Sequence, residues 1–78
     1  MARVVVDVML KPEILDPQGQ AVANALPSLG VDGISAVRIG KRIEIEFAGE
    51  ANLDQAQQIA SKLLANPVIE DFTIRTDL

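Results

Sequence analysis

The chain has 78 residues, of which 7 are Lys or Arg, 11 are Asp or Glu and none is His or Cys, so its net charge at pH 7 is −4. The missing residue types exclude disulfides, thiolate or imidazole metal ligands, and Cys or Ser–His nucleophiles. The length predicts a single domain over residues 1–78, and the acidic balance argues against nucleic-acid binding. The apolar runs are too short to cross a membrane and no signal-peptide pattern begins the chain, so we expect a cytoplasmic protein.

The first predicted element is a strand from Arg3 to Leu10. Every second residue from Val4 to Leu10 is apolar, which is the period that a pleated strand imposes on one face. The opposite face mixes Val5 and Met9 with charged residues.

A helix is predicted to follow, because Asp16-Pro17 combines a capping carboxylate with a proline suited to the first helical position. Its apolar stripe comprises Ala21, Val22, Ala25, Leu26 and Leu29. Pro27 lacks an amide hydrogen and its ring clashes with the preceding turn, so the helix should kink or end near Leu26. The stretch Gly30–Gly33 has the spacing of a phosphate-clamping loop, but Asp32 within it favours a simple exit turn.

Two strands, Ile34–Ile39 and Ile43–Phe47, are predicted to form a hairpin around Gly40. A two-residue loop would pair Arg38 with Ile43 and bring the arginine beside the core. A loop of three or five residues places all the branched residues on one face, so we predict an odd-length loop.

The second helix begins at Asn52, which with Gln55 resembles a capping box. Its apolar stripe comprises Leu53, Ala56, Ile59, Ala60, Leu63 and Leu64. Asn66-Pro67 ends the helix, and a last strand is predicted over Val68–Thr76 with Phe72 and Ile74 facing inward.

The resulting order is β-α-β-β-α-β. It predicts an α+β fold, a two-layer sandwich in which a ferredoxin-like antiparallel sheet carries two helices on one face. The other face would hold Val5, Met9 and Ile69 among charges, and because the core is small we expect an oligomer that covers this open face.

Three further features have structural and functional interpretations. Glu44 and Glu46 share a strand face, but no third ligand or partner base accompanies them, which favours a solvated surface over a metal or acid–base site. Arg38, Lys41 and Arg42 cluster at the predicted hairpin, where they could meet a phosphate or an acidic partner patch, but the pattern favours a structural role in offsetting the two glutamates. Gly19 in the first helical turn indicates either close approach of another backbone or simple tolerance near a helix end.

The stretch Leu63–Phe72, which reads Leu-Leu-Ala-Asn-Pro-Val-Ile-Glu-Asp-Phe, resembles the C-terminal signature of the PurS family of small phosphoribosylformylglycinamidine synthase subunits. Leu15–Gly19 and Val37–Lys41 resemble the same family, as do the strand spacing and total length, so the likeness covers essentially the whole chain. Pro27 departs from it, since an ordinary helix former is expected there.

The resemblance implies an accessory subunit with no catalytic residue, cofactor or metal of its own. ATP and Mg²⁺ would be used by a large synthetase subunit, and ammonia would come from a glutaminase subunit. The small subunit, a homodimer or tetramer, would hold these two partners together and help ammonia pass between them. Matching the motifs residue by residue carries possible partner-contact roles to Lys11, Asp16, Gln18, Gly19, Arg38, Gly40 and Lys41.

An ACT-like dimeric regulatory domain that binds a small amino acid has the same element order and stays open as an alternative. Such a domain has a glycine-bearing turn after its first strand, where this chain has Pro12 and the segment Ile14–Asp16.

Overall fold

The computed structural model describes residues 2–77, and three strands and two helices alternate along them. The strands are β1 (Ala2–Leu10), β2 (Lys41–Phe47) and β3 (Glu70–Asp77), and the helices are α1 (Pro17–Ala25) and α2 (Leu53–Ile59). Helix α1 continues as a 3-10 turn over Leu26–Leu29, and α2 continues as a π-helical turn over Ala60–Leu64. None of the helices in this described part of the chain has the length and apolar character needed to cross a membrane.

Strand β1 lies at the centre of the sheet and pairs antiparallel with both β2 and β3. The register places Val6 opposite Ile43 on one side and Ile74 on the other, so the apolar residues of all three strands share one face. The predicted inward positions of Phe72 and Ile74 are confirmed, since both pack against the buried core.

Helix α2 covers this apolar face. Ala56 and Ala60 are fully buried, and their small side chains let the helix approach the valines of β1 closely. Asn52 caps the helix as predicted, accepting a hydrogen bond from the Gln55 N–H at 3.0 Å. The predicted stripe is too wide, because Leu53 and Leu63 are 50% and 80% exposed.

The predicted hairpin around Gly40 is wrong. Residues 31–40 are extended, but they join no ladder within the described chain, and they run directly into β2. The chain cannot fold back at Gly40 because the Asp16 carboxylate holds the Ile39 N–H beside the start of α1. The sheet therefore has three strands in the described residues, and the predicted strand Ile34–Ile39 is absent from it.

Two regions result, which we call the body and the arm. The body comprises the sheet and α2 with its π-helical turn; the arm comprises residues 11–40. The radius of gyration is 15.8 Å, against roughly 11.5 Å expected of a compact chain of this length. The antiparallel sheet with helices retains the predicted α+β, ferredoxin-like class, but α1 packs mainly against the extended segment of the arm and not on the sheet.

The predicted end of the first helix near Leu26 is confirmed. Helix α1 stops at Ala25, the 3-10 turn accommodates Pro27 at its second position, and Gly30 ends the turn with φ of +81°. Gly33 also has a positive φ, so the stretch Gly30–Gly33 is an exit turn, as the favoured interpretation held.

Charged side chains cover the open face of the sheet. Val5 is fully buried, although it lies on this face with Glu44 and Arg75 as its neighbours in register. Arg3 pairs with Glu44 at 3.2 Å and Arg75 with Asp7 at 3.0 Å across the strands. Within a single chain, this face therefore has less apolar surface to offer a second copy than the sequence pattern predicted.

Candidate partner-contact site

Asp16 connects the two segments of the arm. The residue is only 6% exposed, and its two carboxylate oxygens have separate partners. Oδ1 accepts from the Gly19 N–H at 3.0 Å, which caps α1, and Oδ2 accepts from the Ile39 N–H at 2.7 Å. Asp16 was predicted as a helix cap and as a possible partner contact, and the structure shows that it also fixes the extended segment to the helix.

These contacts lower the pKa of the Asp16 carboxyl below its ordinary value of 3.8. The hydrogen bond from the Gly19 N–H contributes most, followed by that from the Ile39 N–H, and the charge of Arg38 acts in the same direction. Burial opposes them but is outweighed. The carboxylate is therefore held ionised at neutral pH, as both hydrogen bonds require.

Gly19 is required by close packing. A Cβ atom at this position would overlap the carbonyl oxygen of Val37 and crowd the Asp16 carboxylate. The interpretation that another backbone approaches Gly19 is therefore confirmed, and the approaching backbone is the extended segment of the arm.

Arg38 holds the loop that follows β1. Its guanidinium donates to the carbonyl oxygens of Ile14 and Lys11 at 3.0 Å each, with a longer contact of 3.4 Å to that of Leu10. Lys11 secures the same loop to the body, because its N–H donates to the Ile69 carbonyl at 2.8 Å. The planar guanidinium is well suited to bind several carbonyls at once.

Lys41 lies at the junction of arm and body. Its Nζ donates to the Leu64 carbonyl at 3.0 Å, at the C-terminal end of the π-helical turn, and lies 3.9 Å from the Glu70 carboxylate. A cation at this end of a helix satisfies a carbonyl that has no partner within the helix. Gly40 beside it packs so closely on Val8 and Met9 that a side chain there would overlap them.

A shallow depression of about 360 Å³ gathers most of the predicted contact residues at this junction. Asp16, Gln18, Gly40 and Lys41 line it together with Glu70. The other three predicted residues lie close by in the chain or beneath the surface: Gly19 is buried behind Asp16, and Arg38 and Lys11 meet at the loop after β1. Their roles toward a partner stay predictions.

The basic cluster predicted at the hairpin does not form. Arg38 turns to the loop after β1, Lys41 to the end of α2 and Arg42 to Glu44 at 3.0 Å. The three side chains separate because the chain is extended where the prediction had it turn back. Glu44 is engaged by Arg42 and Arg3, and no metal-binding group of three or more acidic side chains occurs in the part of the chain that the structure describes.

Glu70 is a residue of this site that the sequence reading missed. Its carboxylate accepts from the Asn66 N–H at 2.7 Å and faces Lys41, and its side chain is 17% exposed. The four-residue spacing from Asn66, at a turn before a strand, is the only local signal for it.

Comparison with known proteins assigns the chain a family. The sequence model of the PurS family, described as phosphoribosylformylglycinamidine (FGAM) synthase, matches residues 3–77. The chain is similar to the FGAM synthase subunit PurS of Mycobacterium leprae, with 60% identity over 74 residues, 95% of this chain and 94% of that protein.

Two solved structures agree with this likeness. The structure of Bacillus subtilis PurS is 41% identical, covers 100% of both chains and has a TM-score of 0.86. The structure of Methanocaldococcus jannaschii PurS is 33% identical, covers 99% of this chain and 96% of that one, and has a TM-score of 0.84. That protein is described as one of the subunits of formylglycinamide ribonucleotide amidotransferase in the purine biosynthetic pathway.

Proposed function

Since the chain belongs to the PurS family of FGAM synthase subunits, we propose that it is the non-catalytic small subunit of a glutamine-dependent FGAM synthase in purine biosynthesis. It docks a glutaminase subunit to an ATP-dependent synthetase subunit in the cytoplasm and supports the transfer of ammonia between them. The observation that carries this proposal is the family match over residues 3–77.

The division of labour has a chemical basis. Ammonia released into water is protonated and lost, so two active sites that share it must be held together and shielded. A small protein with two or more copies of one contact surface can bridge two larger partners. We therefore propose a homodimer or a tetramer as the working form of the chain.

The chemistry belongs to the partners in this proposal. The sequence contains neither His nor Cys, and the acidic pair Glu44 and Glu46 lies on an exposed strand face. ATP and Mg²⁺ are bound by the synthetase subunit, and this chain contributes no ligand to them.

The junction of arm and body is the contact surface that we propose for a partner subunit. Lys41 and Gln18 are exposed at its depression, and both lie on backbone that is fixed by the contacts of Gly19 and Gly40. A rigid backbone reduces the entropy lost on docking, which favours such a surface over a mobile loop.

The test is amidine formation by the purified synthetase and glutaminase subunits, with and without this chain. We expect the chain to be required when glutamine is the nitrogen source and dispensable with a high concentration of ammonium salt. If neither rate changes, the coupling role is wrong. Saturable binding of an amino acid by the isolated chain would instead favour the ACT-like alternative.

Substitution then locates the contact surface. We expect Lys41→Gln to lower the glutamine-dependent rate several-fold and to leave the ammonia-dependent rate unchanged. Lys62→Gln is the matched control, because Lys62 is exposed on the π-helical turn and does not line the depression.

A further inference from the structure

We propose that Asp32-Gly33, in the exit turn of the arm, is a modification site at which the aspartate converts spontaneously to isoaspartate. The product carries a carboxylate of the kind that S-adenosylmethionine-dependent carboxyl methyltransferases take as substrate. The sequence contains one Asp-Gly pair and no Asn-Gly pair, so the dipeptide in which this reaction meets the least steric hindrance occurs once. The inference goes beyond the proposed function and does not depend on it.

The chemistry joins a side chain to the backbone that follows it. The Gly33 nitrogen attacks Cγ of Asp32, and the new N–Cγ bond closes a five-membered succinimide ring. One carboxyl oxygen leaves as water, with the amide proton and a proton from solvent. Water then breaks the bond between the Gly33 nitrogen and the main-chain carbonyl carbon of Asp32, so that the chain continues through Cγ. One water leaves and one returns, so the reaction needs no oxidant or reductant and leaves the mass unchanged.

The Asp32 carboxylate is available for the first step. The residue is exposed, and its carboxylate has no hydrogen bond or ion pair within residues 2–77. Other aspartates are held by cations: Asp7 pairs with Arg75 at 3.0 Å. Asp71 pairs with Lys11, also at 3.0 Å. An ion pair restrains the carboxylate from turning back to the following nitrogen, and Asp32 has no such restraint.

The attacking nitrogen is available as well. The Gly33 N–H donates no hydrogen bond to any group that the structure describes. At Asp54 the following N–H, that of Gln55, is engaged, because it donates to the Asn52 side chain at 3.0 Å. Asp16 is followed by a proline, which has no N–H. The exit turn therefore leaves both reacting groups free at one aspartate.

The fold itself requires glycine after this aspartate. Gly33 has φ of +85°, a backbone conformation that residues with a side chain rarely adopt. A Cβ atom at Gly33 would meet no other atom within 4 Å, so the space around the attacking nitrogen is open. The conformation that ends the 3-10 turn and redirects the chain thus also creates the reactive pair.

The surrounding structure has room for the product. Isoaspartate lengthens the main chain by one methylene and leaves the α-carboxylate as a short branch. The exposed Val31 and Ile34 flank the site, and the far end of the segment is fixed by the hydrogen bond from the Ile39 N–H to Asp16. We therefore expect the change to be confined to the turn and to alter the exposed surface of the arm without unfolding the body.

The test follows isoaspartate in the purified full chain, aged at neutral pH and physiological temperature. An isoaspartyl carboxyl methyltransferase with labelled S-adenosylmethionine counts the product, and a protease that cleaves before Asp but not before isoaspartate locates it. The same chain aged in guanidinium chloride gives the rate without structural protection. We expect the folded chain to react at Asp32 within about threefold of the unfolded rate, because an unprotected segment has almost no opening cost. No label is expected at Asp7 or Asp71.

Two variants assign the label. Asp32→Glu keeps the charge but would have to close a six-membered ring, which forms far more slowly, so we expect the label to disappear. Asp54→Glu is the matched control and should keep it, since Asp54 lies in α2. A folded rate slower than the stated range, or a label that persists in Asp32→Glu, overturns the proposal. The measurement uses the chain without partner subunits, so neither result bears on the coupling role.

Discussion

The body and the arm are stabilised by different kinds of interaction. In the body, Val4, Val6 and Val8 are almost completely removed from water, and Val6 and Val8 form one buried cluster with Ala60 and Ala65. In the arm, the buried residues are Asp16 and Gly19, and the Asp16 carboxylate accepts hydrogen bonds from the Gly19 and Ile39 N–H groups. Burial of apolar surface therefore stabilises the body, and a few directional hydrogen bonds fix the shape of the arm.

The arm also exposes the apolar residues that a single chain has no means to cover. Val22 on α1 is 42% exposed, and Leu29, Val31 and Ile34 along the following turn and segment are also exposed. A structure fixed by hydrogen bonds but rich in exposed apolar surface is suited to contact other subunits. In the proposed function, the body supplies stability and the arm supplies a preformed surface for assembly.

The same substitution in the two regions tests this contrast most strongly. Val6→Ala removes two methyl groups from a fully buried site, so we expect the free energy of unfolding to fall by about 2 kcal/mol. Val22→Ala removes the same atoms from a half-exposed helical site, where the better helix propensity of alanine offsets the loss, so we expect a change below about 0.5 kcal/mol. Urea unfolding followed by circular dichroism measures both.

The decisive result is whether Val6→Ala lowers the free energy of unfolding more than Val22→Ala does. Equal losses would mean that Val22 is buried as deeply as Val6 in the working form of the protein. The measurement is therefore repeated over a range of protein concentrations, because a contribution from an interface between copies grows with concentration.

Asp16→Asn tests whether the arm is fixed by its carboxylate. The asparagine side chain has only one acceptor oxygen, and an NH₂ group replaces the second carboxylate oxygen. Either the Gly19 N–H or the Ile39 N–H must therefore face this NH₂ group, which cannot accept a hydrogen bond from it. Asparagine is a good helix cap and should retain the Gly19 bond, so we expect the hydrogen exchange of Ile39 to rise on the order of tenfold. Asp32→Asn, which removes a charge from the exit turn of the arm, should leave the exchange unchanged. Unchanged exchange at Ile39 in Asp16→Asn would contradict the role of the carboxylate.

Acid should loosen the arm before the body. The folded pKa of Asp16 lies below its unfolded value of 3.8, so the carboxylate stabilises the fold above that pH and the contribution is lost as the pH falls toward the folded pKa. We expect amides of the arm to lose protection below about pH 4 while those of β1 stay protected. The Asp16→Asn protein should lack this step, and its persistence there would assign the step to another group.

The body was predictable because its signals are local. Alternation along β1 and the cap at Asn52 placed the central strand and the second helix correctly. The exposure of Leu53 and Leu63 was missed, because a helical stripe shows which side of a helix is apolar but not how far the sheet extends beneath it. The narrow three-stranded sheet leaves the ends of that stripe uncovered.

The arm was only partly predictable. Gly19 and Asp16 stood out through the spacing typical of a helix start, but the second acceptor of Asp16 binds an N–H that lies 23 residues away. That contact decides whether the chain turns at Gly40, and backbone donors have no signature in sequence. The alternation of apolar residues in the two predicted strands indicates which residues would lie opposite each other if the strands paired. It does not tell whether such strands pair within one chain.

Arg75→Ala addresses the smallest expected effect, on the charged face of the body. Arg75 pairs with Asp7 at 3.0 Å, and both side chains are partly exposed. Exposed ion pairs of this kind contribute less than about 1 kcal/mol, so the free energy of unfolding should change little and less still at high salt. The oligomer mass in light scattering should also be unchanged, because this ion pair lies on the body, whereas Leu29, Val31 and Ile34 are exposed on the arm. Dissociation caused by Arg75→Ala would move the interface to the open face of the sheet, where the sequence pattern first placed it, and the arm would then need another partner for its exposed apolar residues.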